Sequence, residues 1–179
     1  MGSTSSNETN GFYRTESMSL NVGCGGTKKY PFRDLGCAVN CDIQKAEEKI
    51  DNFIRCDACH LPFKAKVFSR IFALHLIEHL SSPSIFLKEC ARVANGYVNI
   101  ITPNLYCKNS FKDESHVQHF TVSTLADMLK QCFKNVTIIG EEGFWIPIRG
   151  NTLAFRSLQP LASKFAFLAS NLYAICKDN

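Results

Sequence analysis

Ser19-Leu20-Asn21-Val22 is a short apolar strand that runs straight into Gly23-Cys24-Gly25-Gly26, and Asp42 closes a second apolar strand 19 positions after Gly23. A G-x-G bend removes the side chains that would keep a ligand off the backbone, and an acidic residue about 20 positions later accepts hydrogen bonds from ribose hydroxyls. Together they predict a Rossmann-type sheet with a nucleotide-like ligand across its first two strands. A dinucleotide fits poorly, because Lys28 stands where its fingerprint needs a third glycine, and no G-x-x-x-x-G-K-[ST] cradle for a triphosphate occurs. Asp57 follows Phe53-Ile54-Arg55-Cys56 at the end of a third strand. There its carboxylate, beside the Ala58 N–H, suits the Watson–Crick edge of an adenine.

Apolar runs alternate with amphipathic ones, which predicts a mostly parallel α/β sheet with helices on both faces. Strands are expected over 19–23, 37–42, 52–56, 68–74, 96–102 and 136–140, and helices over 84–94 and 122–133. Pro83 introduces the first helix, with Ile85, Phe86, Leu87, Cys90 and Val93 facing inward and Asn95-Gly96 beyond its end; Thr121 or Ser123 caps the second. Pro31 and Gly36 make the crossover between the first two strands short or irregular.

The 179 residues, 45% of them hydrophobic, suit one domain over 19–179. Residues 1–18, rich in Ser, Thr, Asn and Gly, are expected to form a mobile arm or lid. Neither a secretory apolar run nor eighteen consecutive apolar residues occur, so a soluble, cytoplasmic protein without stable membrane insertion is expected. Its nine cysteines are then reduced. Cys37, Cys41, Cys56 and Cys59 have zinc-like spacing, but Cys41 and Cys56 fall inside strands and suit small buried hydrophobes. The net charge of +4 is unclustered, unlike the basic stripe of a dedicated nucleic-acid binder.

Five segments in this order resemble the class I S-adenosylmethionine-dependent methyltransferases, type 11 subgroup. Leu20-Asn21-Val22-Gly23-Cys24-Gly25 is similar to the family's first motif, with Asn21 in place of the usual acid and Thr27 where a third glycine often stands. Val39-Asn40-Cys41-Asp42-Ile43 is similar to its ribose strand and Cys56-Asp57-Ala58-Cys59-His60-Leu61-Pro62-Phe63 to its adenine loop. The stretch from Val67 to Leu80 resembles the fourth strand and following turn, and Phe86 to Val93 with Gly96 to Asn104 the next helix and strand. The resemblance implies a Rossmann-like seven-stranded sheet with an antiparallel last strand near 171–177, and S-adenosylmethionine bound by Asn21, Gly23, Gly25, Asp42, Ile43, Asp57, Ala58 and His75. It also implies that the aromatic, proline-broken region 144–167 helps wall the acceptor pocket.

In an open α/β sheet, acceptor-side residues come from the carboxyl ends of the strands beside the crevice. Those ends hold His75, Glu78 and His79 in one turn and Asn104, His116 and His119 in another. His79, His116 and His119 are therefore the candidates for moving an acceptor's proton. His75-Leu76-Ile77-Glu78-His79 also spells the H-x-x-E-H of inverted zinc peptidases, but it follows a buried strand at once, with no long helix to carry it. Methyltransferases with an E-x-x-E-H turn and a distant histidine around a divalent ion are a closer likeness. They imply Glu78, His79 and His119, or His116, as metal ligands; the alternative is that Glu78 and His79 cap the turn and bond nearby backbone. Phe12, Tyr13, Phe111, Phe144 and Trp145 are candidates for the lid or acceptor wall. The expected reaction is methyl transfer to a small or medium-sized acceptor at O or N. Alternatives are a non-catalytic cofactor-binding regulatory subunit and metal-dependent 2′-O-methylation of an RNA terminus. DNA is not an expected partner, because no Asn-Pro-Pro-Tyr-type signature occurs.

Overall fold

The computed structural model describes residues 18–25, 35–47, 49–111, 113–144 and 165–177. Seven strands form one sheet: β1 (Ser19–Val22), β2 (Val39–Asp42), β3 (Phe53–Arg55), β4 (Phe68–Leu74), β5 (Ala94–Pro103), β6 (Asn135–Phe144) and β7 (Ala169–Lys177). Their order is β3-β2-β1-β4-β5-β7-β6. The first five run parallel, and β7 is antiparallel to both β5 and β6. Strand order reverses between β1 and β4, so a crevice opens where their carboxyl ends diverge. The glycine bend leaves β1 there, and His75 leaves β4 there.

Helix α1 (Pro83–Val93) joins β4 to β5, and α2 (Val122–Lys130) precedes β6. Phe86, Leu87, Cys90 and Val93 are fully buried along one stripe of α1. A residue of this kind stabilises the fold by about 1.5–3 kcal/mol on complete burial. Ile85, expected inside, is 44% exposed. One residue turns a helix by about 100°, which carries Ile85 off the Phe86 stripe. The chain passes from α1 into β5 with no linker, and Asn95-Gly96 already belongs to the strand. Thr121 caps α2, its side chain accepting from the Thr124 N–H while the Thr124 hydroxyl accepts from the Thr121 N–H. The last turn tightens after Lys130, so α2 is shorter than the expected 122–133.

The links β2–β3 and β3–β4 are made by turns and bends, with no α-helix among their described residues. Most of the first crossover, most of the 144–167 wall and residues 1–17 of the expected arm lie outside the described residues, with Phe12, Tyr13 and Trp145. All nine cysteines are free thiols. Among the described residues, no helix is long and apolar enough to cross a membrane.

Candidate active site

The crevice is a cleft of about 770 Å³ that runs from Gly23, Gly25, Asp42 and Asp57 past His75 and Leu76 to His79 and Ser115. A narrow apolar end is lined by Val22, Cys41, Ile43, Cys56, Ala58 and Leu80. Gly23 and Gly25 both have φ of 73°, the left-handed region that glycine enters without steric cost. Gly23 and Cys24 donate their N–H groups to the Cys41 carbonyl at 2.8 and 3.1 Å. A Cβ on Gly23 would lie 2.8 Å from Leu76 Cδ1, so the bare backbone is what keeps this part of the cleft open.

Asp42 faces the bend. Its Oδ2 accepts the Gly25 N–H at 2.9 Å and its Oδ1 the Gln44 N–H at 2.8 Å. Each oxygen retains a second lone pair, which is what a pair of ribose hydroxyls needs. Arg55 donates to the Ile43 carbonyl at 2.9 Å and steadies the turn that leaves Ile43 61% exposed beside the cleft. At Asp57, Oδ1 accepts the Cys59 N–H at 2.8 Å and Oδ2 lies 3.0 Å from His60 Nδ1. The His60 contact first, and the Cys59 N–H next, hold the Asp57 carboxyl below its ordinary range. It is therefore an acceptor throughout the neutral range.

Asn21 lies elsewhere. It is buried, and its amide donates to Asn40 Oδ1 at 3.3 Å; Asn40 in turn donates to the Asp51 carbonyl. The residue ties β1 to β2 beneath the bend instead of lining the cleft. Cys41 and Cys56 do line it, and the neighbouring Cys41 thiol lowers the Cys56 pKa.

His75 has φ of 52°, a left-handed conformation uncommon for a residue with a side chain. Its N–H donates to the Ile101 carbonyl at 2.8 Å, and its Nδ1 lies 3.2 Å from Glu78 Oε1. Glu78 is 1% exposed, and its Oε2 also accepts the Thr102 hydroxyl at 3.1 Å, which satisfies a buried carboxylate. The Glu78 carbonyl accepts the N–H groups of Val117 and Gln118, fastening the second histidine segment to the end of β4.

That fastening sorts the histidines. His79 Nδ1 meets the Ser115 carbonyl at 3.2 Å and Oγ at 3.0 Å; His116 Nδ1 meets the Ser110 carbonyl at 2.9 Å. A carbonyl only accepts, so both rings carry the proton on Nδ1 in the neutral form and present Nε2 as a lone pair. The two rings stand edge to face, 4.8 Å apart. Ligand atoms of Glu78, His79 and His116 all lie within 4.8 Å of one another, the one such group among the described residues. The expected trio of Glu78, His79 and His119 is thus assembled with His116 instead. His119 turns away, 3.1 Å from the Ser110 hydroxyl and stacked 4.7 Å from the exposed Phe111 ring. The four-cysteine zinc set is not gathered in this way. Asn104 is structural, donating to the carbonyls of Phe167 and Ala169 at 3.0 and 2.9 Å.

Sequence reasoning passed over Leu76, Leu80 and Ser115 as lining residues. Leu76 and Leu80 carried a signal, being the apolar positions of the turn after β4. Ser115 carried none, because the Glu78 carbonyl contacts that place its loop are backbone bonds.

A sheet of order β3-β2-β1-β4-β5-β7-β6, with β7 antiparallel and the order reversing between β1 and β4 beside a glycine bend, is the Rossmann-like fold of the class I methyltransferases. Residues 20–98, which hold the bend, Asp42, Asp57 and the histidine turn, match the family described as "Methyltransferase domain". The bare Gly23 backbone with two carboxylates fits an adenosyl amino acid. Among solved structures, a SAM-dependent methyltransferase from Archaeoglobus fulgidus is 22% identical with a TM-score of 0.63, over 90% of this chain and 86% of that one. A SAM-dependent methyltransferase from Thermotoga maritima is 13% identical with a TM-score of 0.67, over 92% and 83%. A phosphoethanolamine N-methyltransferase from Haemonchus contortus, in complex with S-adenosylhomocysteine, is 14% identical with a TM-score of 0.57, over 91% of this chain and 49% of that one. No curated protein matches the chain in sequence.

Proposed function

We propose that this chain transfers the methyl group of S-adenosylmethionine to an oxygen or nitrogen of a small or medium-sized acceptor in the cytoplasm. One observation carries the reading: a single cleft joins the Gly23 bend and the Asp42 and Asp57 carboxylates at one end to His75 and His79 at the other. In this reading Asp42 receives the ribose hydroxyls, Asp57 and Ala58 meet the adenine edge, and Ile43 covers the base. Gly23, Gly25 and His75 receive the amino-acid end, with Asn21 supporting the bend from below. Bound there, the cofactor supplies a methyl group activated on a sulfonium, so the protein has to align the acceptor, exclude water and remove a proton where the acceptor carries one. His79, with Nε2 as its open lone pair, is the group placed to take that proton. His116 packs behind it, and His119 holds the Ser110 loop.

Asp42→Ala is expected to weaken S-adenosylhomocysteine binding about 30-fold or more, since hydrogen bonds to a charged acceptor are each worth about 1.5–3 kcal/mol. Calorimetric titration with unchanged circular dichroism reads this. An affinity within threefold of wild type rules out the ribose role.

The Glu78, His79 and His116 cluster supports a second reading, in which a divalent ion assists methylation. Two imidazoles and one carboxylate, with both Nδ1 atoms anchored on carbonyls, suit a softer ion than Mg²⁺. Titration with Co²⁺, followed by its visible spectrum, is expected to give one site that His116→Ala weakens at least about tenfold and His119→Ala leaves intact. No cobalt spectrum, or equal loss in both variants, rejects it.

A further inference from the structure

The loop from Asp57 to Phe63 carries the residues read above as adenine partners, yet neither helix nor strand spans it. Its backbone is instead held by two side chains of α1. Arg92 donates from Nη1 to the Phe63 carbonyl at 2.7 Å and from Nη2 to the Leu61 carbonyl at 2.9 Å. Glu89 Oε2 accepts the Leu61 N–H at 2.9 Å. The two side chains grip each other as a fork, Nε to Oε1 at 2.6 Å and Nη2 to Oε2 at 2.7 Å. An i,i+3 ion pair on a helix surface ordinarily adds little, and its partners have no reason to reach a segment 28 to 31 residues away. Here three backbone groups of one loop are satisfied by a single planar fork, a task for which a lysine lacks the donors.

From Leu61 the constraint runs to Asp57 through three residues, Ala58, Cys59 and His60. The His60 N–H donates to the Asp57 carbonyl at 2.9 Å, and Cys59 and His60 together orient the Asp57 carboxylate. Leu61 is buried and Phe63 packs edge-on against Phe68, so the far end of the loop is anchored in the core. The near end continues β3, with the Cys56 N–H on the Asp42 carbonyl at 2.9 Å. The fork fixes the backbone of this far end, and the stretch from Asp57 to His60 hangs between it and β3.

We propose that Glu89 and Arg92 are positioning residues for recognition of the cofactor's base: they touch no ligand, and they fix the loop so that Asp57 and Ala58 meet an adenine edge. This rests on the reading of Asp57 and Ala58 as adenine partners. Adenine offers an amino donor to the Asp57 carboxylate, whereas hypoxanthine offers a carbonyl oxygen that the carboxylate repels. The fork therefore acts on the choice between the two bases, and hardly on the ribose or the amino-acid end.

The test is calorimetric titration of the full chain with S-adenosylhomocysteine and with S-inosylhomocysteine. Wild type is expected to prefer the adenine ligand at least about tenfold, the scale of one well-placed polar contact to a charged group. Arg92→Lys, and separately the milder Glu89→Gln, should weaken S-adenosylhomocysteine about five- to tenfold while changing S-inosylhomocysteine less than twofold. In an Asp57→Ala background, Arg92→Lys should add no further loss. A purely structural role would weaken both ligands alike and in step with the melting temperature. That result, or variants that keep the wild-type preference, overturns the proposal. If wild type itself does not distinguish the ligands, or Asp57→Ala keeps the full preference, the reading of Asp57 falls and takes the proposal with it.

Discussion

Gly96→Ala is expected to destabilise the chain by about 3 kcal/mol or more, the upper end of what overpacking costs. A Cβ at Gly96 would sit 2.1 Å from the Ser69 carbonyl oxygen and 2.9 Å from its carbonyl carbon. Both are backbone atoms, which cannot swing aside as a side chain can. The contact falls where β5 meets β4 across a register irregularity between Phe68 and Arg70, and Ser69 is already held by Met18 through its N–H and its hydroxyl. Relief requires β5 to part from β4, the middle of the sheet. For a chain of this size the melting temperature should fall by about 6–12 °C, read by thermal denaturation with urea titration as a second probe. A change below about 1 kcal/mol means that the strand ends slide apart freely, contrary to the packing described.

Gly23→Val should spare the fold and remove the function. At φ of 73° a β-branched residue is strained, at a cost of about 1–3 kcal/mol. Its Cβ would also enter the space of Leu76 Cδ1 and Cδ2, at 2.8 and 3.0 Å. Those atoms end a flexible side chain, so the core need not break, but the displaced leucine and the new isopropyl group then occupy the cofactor end of the cleft. S-adenosylhomocysteine affinity is expected to drop at least about 100-fold, from lost backbone approach and steric filling together. Far-ultraviolet circular dichroism should remain that of the wild type. Binding within threefold of wild type would place the ligand away from the bend.

The sheet was legible because its information is local. Alternating apolar runs, a glycine bend and acids at strand ends each act within a few residues, and the element order follows from them. What the sequence hid depends on distant partners. Gly96 looked like the punctuation after a helix; its function is to let β5 pass close to Ser69, which no neighbour in sequence reveals. Asn21 looked like a ligand residue, but Asn40 on the adjacent strand claims its amide. His116 and His119 are equivalent in the sequence, and the Glu78 carbonyl decides between them by drawing the backbone of Val117 and Gln118 toward β4. Glu89 and Arg92 carry no signal in the sequence, because the loop groups they hold, at Leu61 and Phe63, lie 28 to 31 residues away.

Intermolecular nuclear Overhauser effects in the complex of methyl-labelled protein with S-adenosylhomocysteine test the central claim most directly. The adenine H2 and H8 protons should show contacts to the methyl groups of Ile43, Ala58 and Leu80, and the ribose protons should lie on the Asp42 side of Val22. Contacts from the base to Ile85 in place of these three would put the adenosine in another part of the cleft and contradict the account.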